Sequence, residues 1–385
     1  MSPAFDVDEF TAFLGRVAPD AAQRERERRL LHAELDELRA LGFGALRVPA
    51  SRGGADVPLE KLFALLVDLS AADASLGHVW RGHIAFVESL RAQGASAPDL
   101  WWHRIEAGDF VGNAQSERQE TARIATRLER EGDALLLTGT KYYTTGSIYA
   151  DWIHLAALDG DERVALTVDA HQAEVASVDD WDGFGQPLTG SGTTAFDRAV
   201  VHPDDVVPPD TDAARGHLLG CVFQLALVAV IAGIAQRALD DTVTYVRPRR
   251  RTFGFAGETL PREDPLVQLI VGELSVVART SRRLVLSLAA ELGAVADGEP
   301  GVESLKLLQL EVFRLQELVP RLVLDAATRL FEVGGASAVG TGHALDRHWR
   351  NVRTIASHNP VMQRTRALGL HALSGELPEW AAPGA

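Results

Sequence analysis

The sequence is poor in several things. It holds one cysteine, Cys221, in 385 residues. One thiol excludes intramolecular disulfides and any cysteine-built zinc site. Cys221 stands in LLGCVFQLALVAV, where a free thiol packs as a small hydrophobe. Basic charge is also scarce: 38 Lys and Arg face 53 Asp and Glu, a net charge of -15. That balance excludes a general nucleic-acid binder, which presents a basic face. The start, MSPAFDVDEF, has neither a basic stretch nor an apolar core, so no signal peptide is read there. Only the run 218–235 is apolar enough to suggest a membrane span. It contains Gly220, Gln224 and Gly233, and its flanks show no basic cluster, which favours a helix buried in a bundle or subunit interface. The expected setting is cytoplasmic, with no membrane and no nucleic-acid partner.

At this length two or three lobes are expected. The first hundred residues read as helices. RERERRLLHAELDELRALGFG sets Leu31, Leu35, Leu38 and Leu41 on one stripe, ended by Gly42 and Gly44. VPASRGGADVP reads as a loop. Past residue 110 the pattern changes. Alternating runs around Glu131-Gly132-Asp133 and around Asp159-Gly160-Asp161 signal hairpins. Beyond HPDDVVPPDTD, apolar periodicity predicts long helices over 218–246, 265–292, 302–331 and 341–373, the last broken at Pro360. The class is therefore α+β, with helices over 1–110, a β domain over 111–208 and a helical bundle over 209–385.

Common cofactor signatures are missing. VGGASAVGTG lacks the spacing of a dinucleotide fingerprint and follows a helix. His343 and His348, five apart, do not align on a helix, and no metal is expected. Acid is missing too: from Arg347 to Gly375 there is no Asp or Glu, but five arginines and three histidines. Arg347, Arg350 and Arg353 fall on one helix side. Either a phosphate lies there, matched by guanidinium forks, or acids from elsewhere pair with them; both readings stay open. RPRRRTFG places Arg247, Arg249, Arg250 and Arg251 after a helix, more than its C-terminus needs. NAQSERQE and KYYTTG offer Asn113, Gln115, Ser116, Tyr143, Thr144 and Thr145, polar groups suited to the edge of a planar heterocycle.

In this order, the pieces resemble the acyl-CoA dehydrogenase superfamily over nearly the whole chain. The resemblance implies a helical N-terminal domain, a middle β-barrel and a C-terminal four-helix bundle, usually in a homotetramer. NAQSE looks like the flavin-contacting strand, with Asn113, Gln115 and Ser116. GTKYYTTGSIYADW resembles the second flavin motif, with Tyr143, Thr144 and Thr145. RRTFG is similar to the Arg-x-x-Phe-Gly phosphate motif through Arg250, Phe253 and Gly254. FEVGGASA resembles the Gln-x-x-Gly-Gly motif through Gly334 and Gly335, with Glu332 where Gln is usual; that carboxylate disfavours FAD. The usual catalytic Glu is absent from IASHNP, which has His358 instead.

DDWDGFGQPLTGSGTT, YVRPRR and DRHWRNVRTIASHNP resemble a flavin-dependent monooxygenase branch, the dibenzothiophene monooxygenase group. This implies a two-component enzyme. A separate flavin reductase supplies reduced FMN, with FAD as the alternative, and O2 reacts to a C4a-hydroperoxide that oxygenates an organosulfur compound or amine. His358 and His83 are the expected proton donors, Asn113 lies at the flavin's reactive edge, and Arg247, Arg250 and Arg353 neutralise phosphate. His83, Trp181 and Phe184 are expected around the substrate. Two other readings are an acyl-CoA dehydrogenase with its base elsewhere and a non-catalytic flavin-binding scaffold.

Overall fold

The computed structural model describes residues 5–118, 124–207, 212–251, 259–298 and 301–379. Six helices come first: α1 (Val7–Val17), α2 (Ala21–Glu27), α3 (His32–Ala40), α4 (Leu59–Ala72), α5 (Ala74–Gln93) and α6 (Asp99–Ala107). The Leu stripe is buried at Leu31, Leu35 and Leu38. Its helix is not continuous, however. Arg28 adopts a left-handed φ of 50° and ends α2. Its guanidinium reaches both carboxylate oxygens of Asp179 at 2.9 Å and the Trp181 carbonyl at 2.7 Å. That long-range anchor overrides the local helical preference of RERERR.

Eight strands follow: β1 (Val111–Ala114), β2 (Arg127–Glu131), β3 (Ala134–Tyr142), β4 (Trp152–Asp159), β5 (Glu162–Asp169), β6 (Val175–Ser177), β7 (Thr193–Val201) and β8 (Val206–Val207). They form one sheet in the order β6-β7-β3-β2-β4-β5-β8, with β1 parallel to β4. Both expected hairpins form. Gly132 and Gly160 supply the positive φ (57° and 63°) that two-residue turns require.

The C-terminal part contains α7 (Ala213–Val246), α8 (Pro265–Ala296), α9 (Val302–Arg329), α10 (Asp346–Ala356) and α11 (Val361–Ser374). Pro360 separates the last two, because it cannot continue α10 and serves as the N-cap of α11. α7 is long and apolar enough to cross a membrane. It is instead the central post of the molecule, with most of its apolar stretch buried against α4, α5, α8 and α9. Cys221 lies buried within it, and burial pushes its thiol up to about 12. One apolar cluster runs from Phe10 and Phe13 through Leu137 and Ile153 to α7 and Val352. The helical and sheet parts therefore share a core, and α5 lies between them.

Candidate active site

Asp73 caps α5, accepting from the amides of Ser75 and Leu76 at 3.0 and 3.1 Å. α5 then carries His78 and Arg81 inward, at a spacing that sets them on one face. Arg81 Nη1 lies 2.9 Å from His358 Nε2, and Arg81 Nε donates to the Phe223 carbonyl of α7 at 2.9 Å. His78 Nδ1 lies 3.0 Å from Gln186 Oε1. Gln186 is held from the other side, its amide donating to Asn351 Oδ1 at 2.6 Å. It is buried with a left-handed φ of 57°, a strained conformation for a non-glycine residue. Beside it, Gly185 lies against the Arg350 carbonyl so closely that a Cβ would collide. Two helices, a loop from the sheet and the end of α10 thus converge on one polar cluster.

The electrostatics are unusual. Burial, with the charge of Arg81, lowers His78 to about 4. Burial, Arg81 and His78 hold His358 well below its ordinary value. Yet His358 is solvent-exposed, and the neighbouring Ile355, Ala356 and Asn359 line a small cleft. Both rings are neutral at pH 7. His358 is therefore not a ready imidazolium donor, contrary to the sequence reading. With Nε2 accepting from Arg81, Nδ1 carries its hydrogen. His78 Nε2, Arg81 Nη2 and Gln186 Nε2 are buried without partners.

Next to this cluster is a second polar surface. Gly82 of α5 abuts Asn113, whose Cβ would stand 2.7 Å from an added Cβ. Asn113 N donates to the Thr145 carbonyl at 3.2 Å, and Tyr142 N to the Ser116 carbonyl at 3.0 Å. Thr145 Oγ1 meets Ser191 Oγ at 2.8 Å, and Thr144 Oγ1 donates to the Gly192 carbonyl at 3.0 Å. Gln115 Nε2 donates to the His154 carbonyl at 3.3 Å. Tyr143 is half exposed with φ 66° and lies edge-on to Trp181. The fold gathers Asn113, Ser116 and Tyr143–Thr145 onto neighbouring backbone, and Ser147 Oγ there is buried with no partner. A ring with donor and acceptor edges fits such a surface.

Other expected residues take different places. His83 is buried, with Nε2 2.9 Å from the Gly44 carbonyl and Nδ1 accepting from the Val111 amide at 3.2 Å. Both nitrogens are committed, and the ring stacks on Phe110. It is a packing histidine that joins α5 to β1, so the expected catalytic and substrate-binding role is corrected. Phe184 is exposed, stacking on Trp349, and Trp181 donates to the Gly185 carbonyl at 3.0 Å; within one chain neither walls in the cluster. The acid-free segment finds its acids elsewhere. Arg347 and His348 meet Asp241 at 2.6 and 2.9 Å, and Arg350 meets Glu25 and Asp346 at 3.1 and 2.8 Å. Ion pairing explains Arg347 and Arg350, and the phosphate reading is withdrawn for both. Arg353 is exposed on α10.

Arg247 caps α7 and is exposed, as is Arg250. Near them, Gly334 packs against the Tyr245 hydroxyl, which also meets Arg249. Gly335 has a φ of 52°, and Glu332 is exposed and pairs with Arg329. A cleft of about 480 Å³ opens here, lined in part by Arg237, Tyr245, Arg249 and His343. Phe253 and Gly254 lie outside the described residues. Phe223, at the first cluster, precedes Arg247 by about 24 residues, so these two points on α7 stand roughly 36 Å apart.

The family model for the acyl-CoA dehydrogenase C-terminal domain matches residues 225–363. A dibenzothiophene monooxygenase of Rhodococcus qingshengii is 28% identical, over 93% of this chain and 90% of that protein. A probable FMNH2-dependent monooxygenase, SfnC, of Pseudomonas putida is 27% identical over 94% and 93%. The solved structure of FMN-bound TdsC from Paenibacillus sp. A11-2 superposes with a TM-score of 0.90 at 25% identity, over 97% of this chain and 98% of that one. Over residues 225–363 the chain matches the acyl-CoA dehydrogenase C-terminal domain, and over nearly its whole length it is similar to flavin-dependent monooxygenases. Sequence reasoning missed His78 and Arg81. The available signal was an arginine in a helix with no acid within four residues on either side.

Burial also sets an acid limit on the fold. His78, His83, His154 and His348 are each held near 4, chiefly by burial. Unfolding returns them toward about 6.5. Between these values the unfolded chain binds more protons, so stability is full above pH 6.5 and falls as pH drops toward 4. The expected loss is on the order of 1 kcal/mol per pH unit for each histidine. Urea midpoints at pH 7.5, 5.5 and 4.5 test this; a constant midpoint would refute it.

Proposed function

We propose that this protein is the oxygenase of a two-component system: it takes reduced FMN from a separate flavin reductase and uses O2 to oxygenate a small organosulfur compound or amine. One observation carries the reading. A neutral His358 with a cationic Arg81 beside it stands where a dehydrogenase of this fold needs a carboxylate base, and no Asp or Glu pairs with that cluster among the described residues. FMN-bound TdsC and the FMNH2-dependent relative support the cofactor and the reductase.

Bound at the surface formed by Asn113, Ser116 and Tyr143–Thr145, reduced FMN supplies the electrons that activate O2. Everything else falls to the chain. Asn113 and Thr145 orient the ring, Gln115 braces β1 through the His154 carbonyl, and the surrounding apolar core excludes water. His358, beside Arg81, serves as a neutral hydrogen-bonding group for the reacting oxygen. Arg247 and Arg250 are assigned to the phosphate, with Glu332, Gly334 and Gly335 beside them; Arg353 is a further candidate. With Phe223, beside the polar cluster, roughly 36 Å along α7 from Arg247, one chain does not bring the ring surface and Arg247 to the same FMN. We therefore assign the phosphate residues to a neighbouring copy, in a homotetramer. Exposed Leu266, Leu269 and Val276 on α8 and Met362 and Leu373 on α11 suit such contacts. A cytoplasmic setting, where reductase and reduced flavin are available, belongs to the same proposal.

Stopped-flow absorbance tests the reading. Photoreduced FMN bound to the protein, mixed with oxygenated buffer, is expected to reoxidise through a resolved intermediate phase that substrate accelerates. Single-phase oxidation at the rate of free flavin, together with bleaching of bound flavin by an acyl-CoA, would replace it with the dehydrogenase. Arg247→Ala is expected to weaken reduced-FMN affinity about tenfold, the scale of one charge-assisted phosphate contact. Anaerobic fluorescence titration measures this; unchanged affinity removes Arg247 from the phosphate site.

A further inference from the structure

Arg81 is a buried guanidinium with no acid to answer it. It is 3% exposed. The other deeply buried arginines have carboxylates: Arg24 meets Asp73 at 2.9 Å and Arg47 meets Glu88 at 2.6 Å. Among the described residues Arg81 has only the Phe223 carbonyl, the His358 ring and the face of Phe223, whose centroid lies 3.5 Å from its guanidinium carbon. Its Nη2 has no partner. Burial lowers its pKa to about 9, so it remains charged at neutral pH. The two histidines beside it are neutral, and the cluster carries one uncompensated positive charge.

Leaving such a charge buried and unpaired is strongly unfavourable. An anion from outside would relieve it. The planar fork suits a group with two or three oxygens, and Gln186 Nε2, on the far side of His78, is a further unused donor. We propose that the substrate carries a carboxylate, sulfinate or sulfonate, bound by Arg81 Nη2 beside His358. The proposal rests on the oxygenase reading of this site. It narrows the substrate class from small organosulfur compounds or amines in general to organic anions.

Calorimetric titration of the FMN-loaded protein tests it. Methanesulfinate and methanesulfonate are each compared with dimethyl sulfone, and acetate with acetamide; the phenyl counterparts form a second series. At least one anion should bind about tenfold or more tightly than its neutral twin, the scale of a charge-assisted hydrogen bond. The best of the three identifies the group. Arg81→Met should abolish the preference and Arg81→Lys retain part of it. An apolar replacement of a buried charge is tolerated by many folds, and thermal melts of both variants verify folding. Equal affinities, binding of no probe at millimolar concentration, or a preference that survives in Arg81→Met would each overturn the proposal. So would a loss confined to FMN affinity in Arg81→Met, because the flavin would then be the anion Arg81 serves. The two readings fail separately. Anion binding that depends on Arg81 without oxygen transfer removes the oxygenase and keeps the anion site. Oxygen transfer to neutral compounds alone does the reverse.

Discussion

His358→Ala is expected to lower oxygenated product by about 10²-fold, the scale of losing one oriented hydrogen-bond donor at a reacting oxygen, and to raise hydrogen peroxide release. FMN affinity should stay near that of the parent, since the residues assigned to the flavin lie on β1, the β3 end and α7. His358 is the exposed member of the cluster, 2.9 Å from Arg81, and its other ring nitrogen bears the hydrogen. Alanine removes both the proton and the acceptor for Arg81 Nη1. Reduced flavin would still meet O2, but without an oriented group the oxygen would leave as peroxide. The ratio of product to peroxide per reduced FMN consumed reads this directly. A variant with parental coupling would remove His358 from the chemistry and leave it a structural partner of Arg81.

The largest stability effect is expected at Arg24. Its side chain is 2% exposed and spans four partners: Asp73, Glu34, Asp20 and the Val17 carbonyl. Arg24→Ala would strand Asp73, itself 5% exposed. Removing one member of a buried pair costs about 3–5 kcal/mol. By contrast, Arg16→Ala, which breaks an exposed pair with Glu37, should cost no more than about 1 kcal/mol. Urea unfolding of the two variants separates the cases, and similar losses would refute the assignment of Arg24 as a hub. The effect should also spread. Asp73 is the N-cap of α5, the helix that carries His78 and Arg81, so loss of Arg24 should loosen that polar cluster as well.

Much of this architecture could be read from the sequence because its signals are local. Gly132 and Gly160 mark turns by their own backbone freedom, and Pro360 breaks a helix wherever it stands. His358 stood out because a stretch without acids drew attention to it. Other features are decided by partners distant in the chain. Arg28 breaks a helix because Asp179, far along the sequence, holds its guanidinium. Arg347 and Arg350 looked like a phosphate site because Asp241 and Glu25 are too remote to appear beside them. His83 and His78 lie in the same short run, and most of α5 is buried. With every face covered, periodicity does not distinguish the side toward the cleft from the side toward β1, and only contacts show that His78 faces Gln186 while His83 is spent on Gly44 and Val111.

The length of α7 has a consequence for anyone handling the protein. If the ring is held beside the Phe223 level of the post and the phosphate by the C-terminal end of another copy's post, flavin retention becomes a measure of assembly. Dilution that separates the copies would release FMN even with every side chain intact, and free FMN would in turn draw the copies together. Apparent cofactor affinity would then depend on protein concentration, and a purified sample could lose colour through dissociation alone, with no damage to its fold.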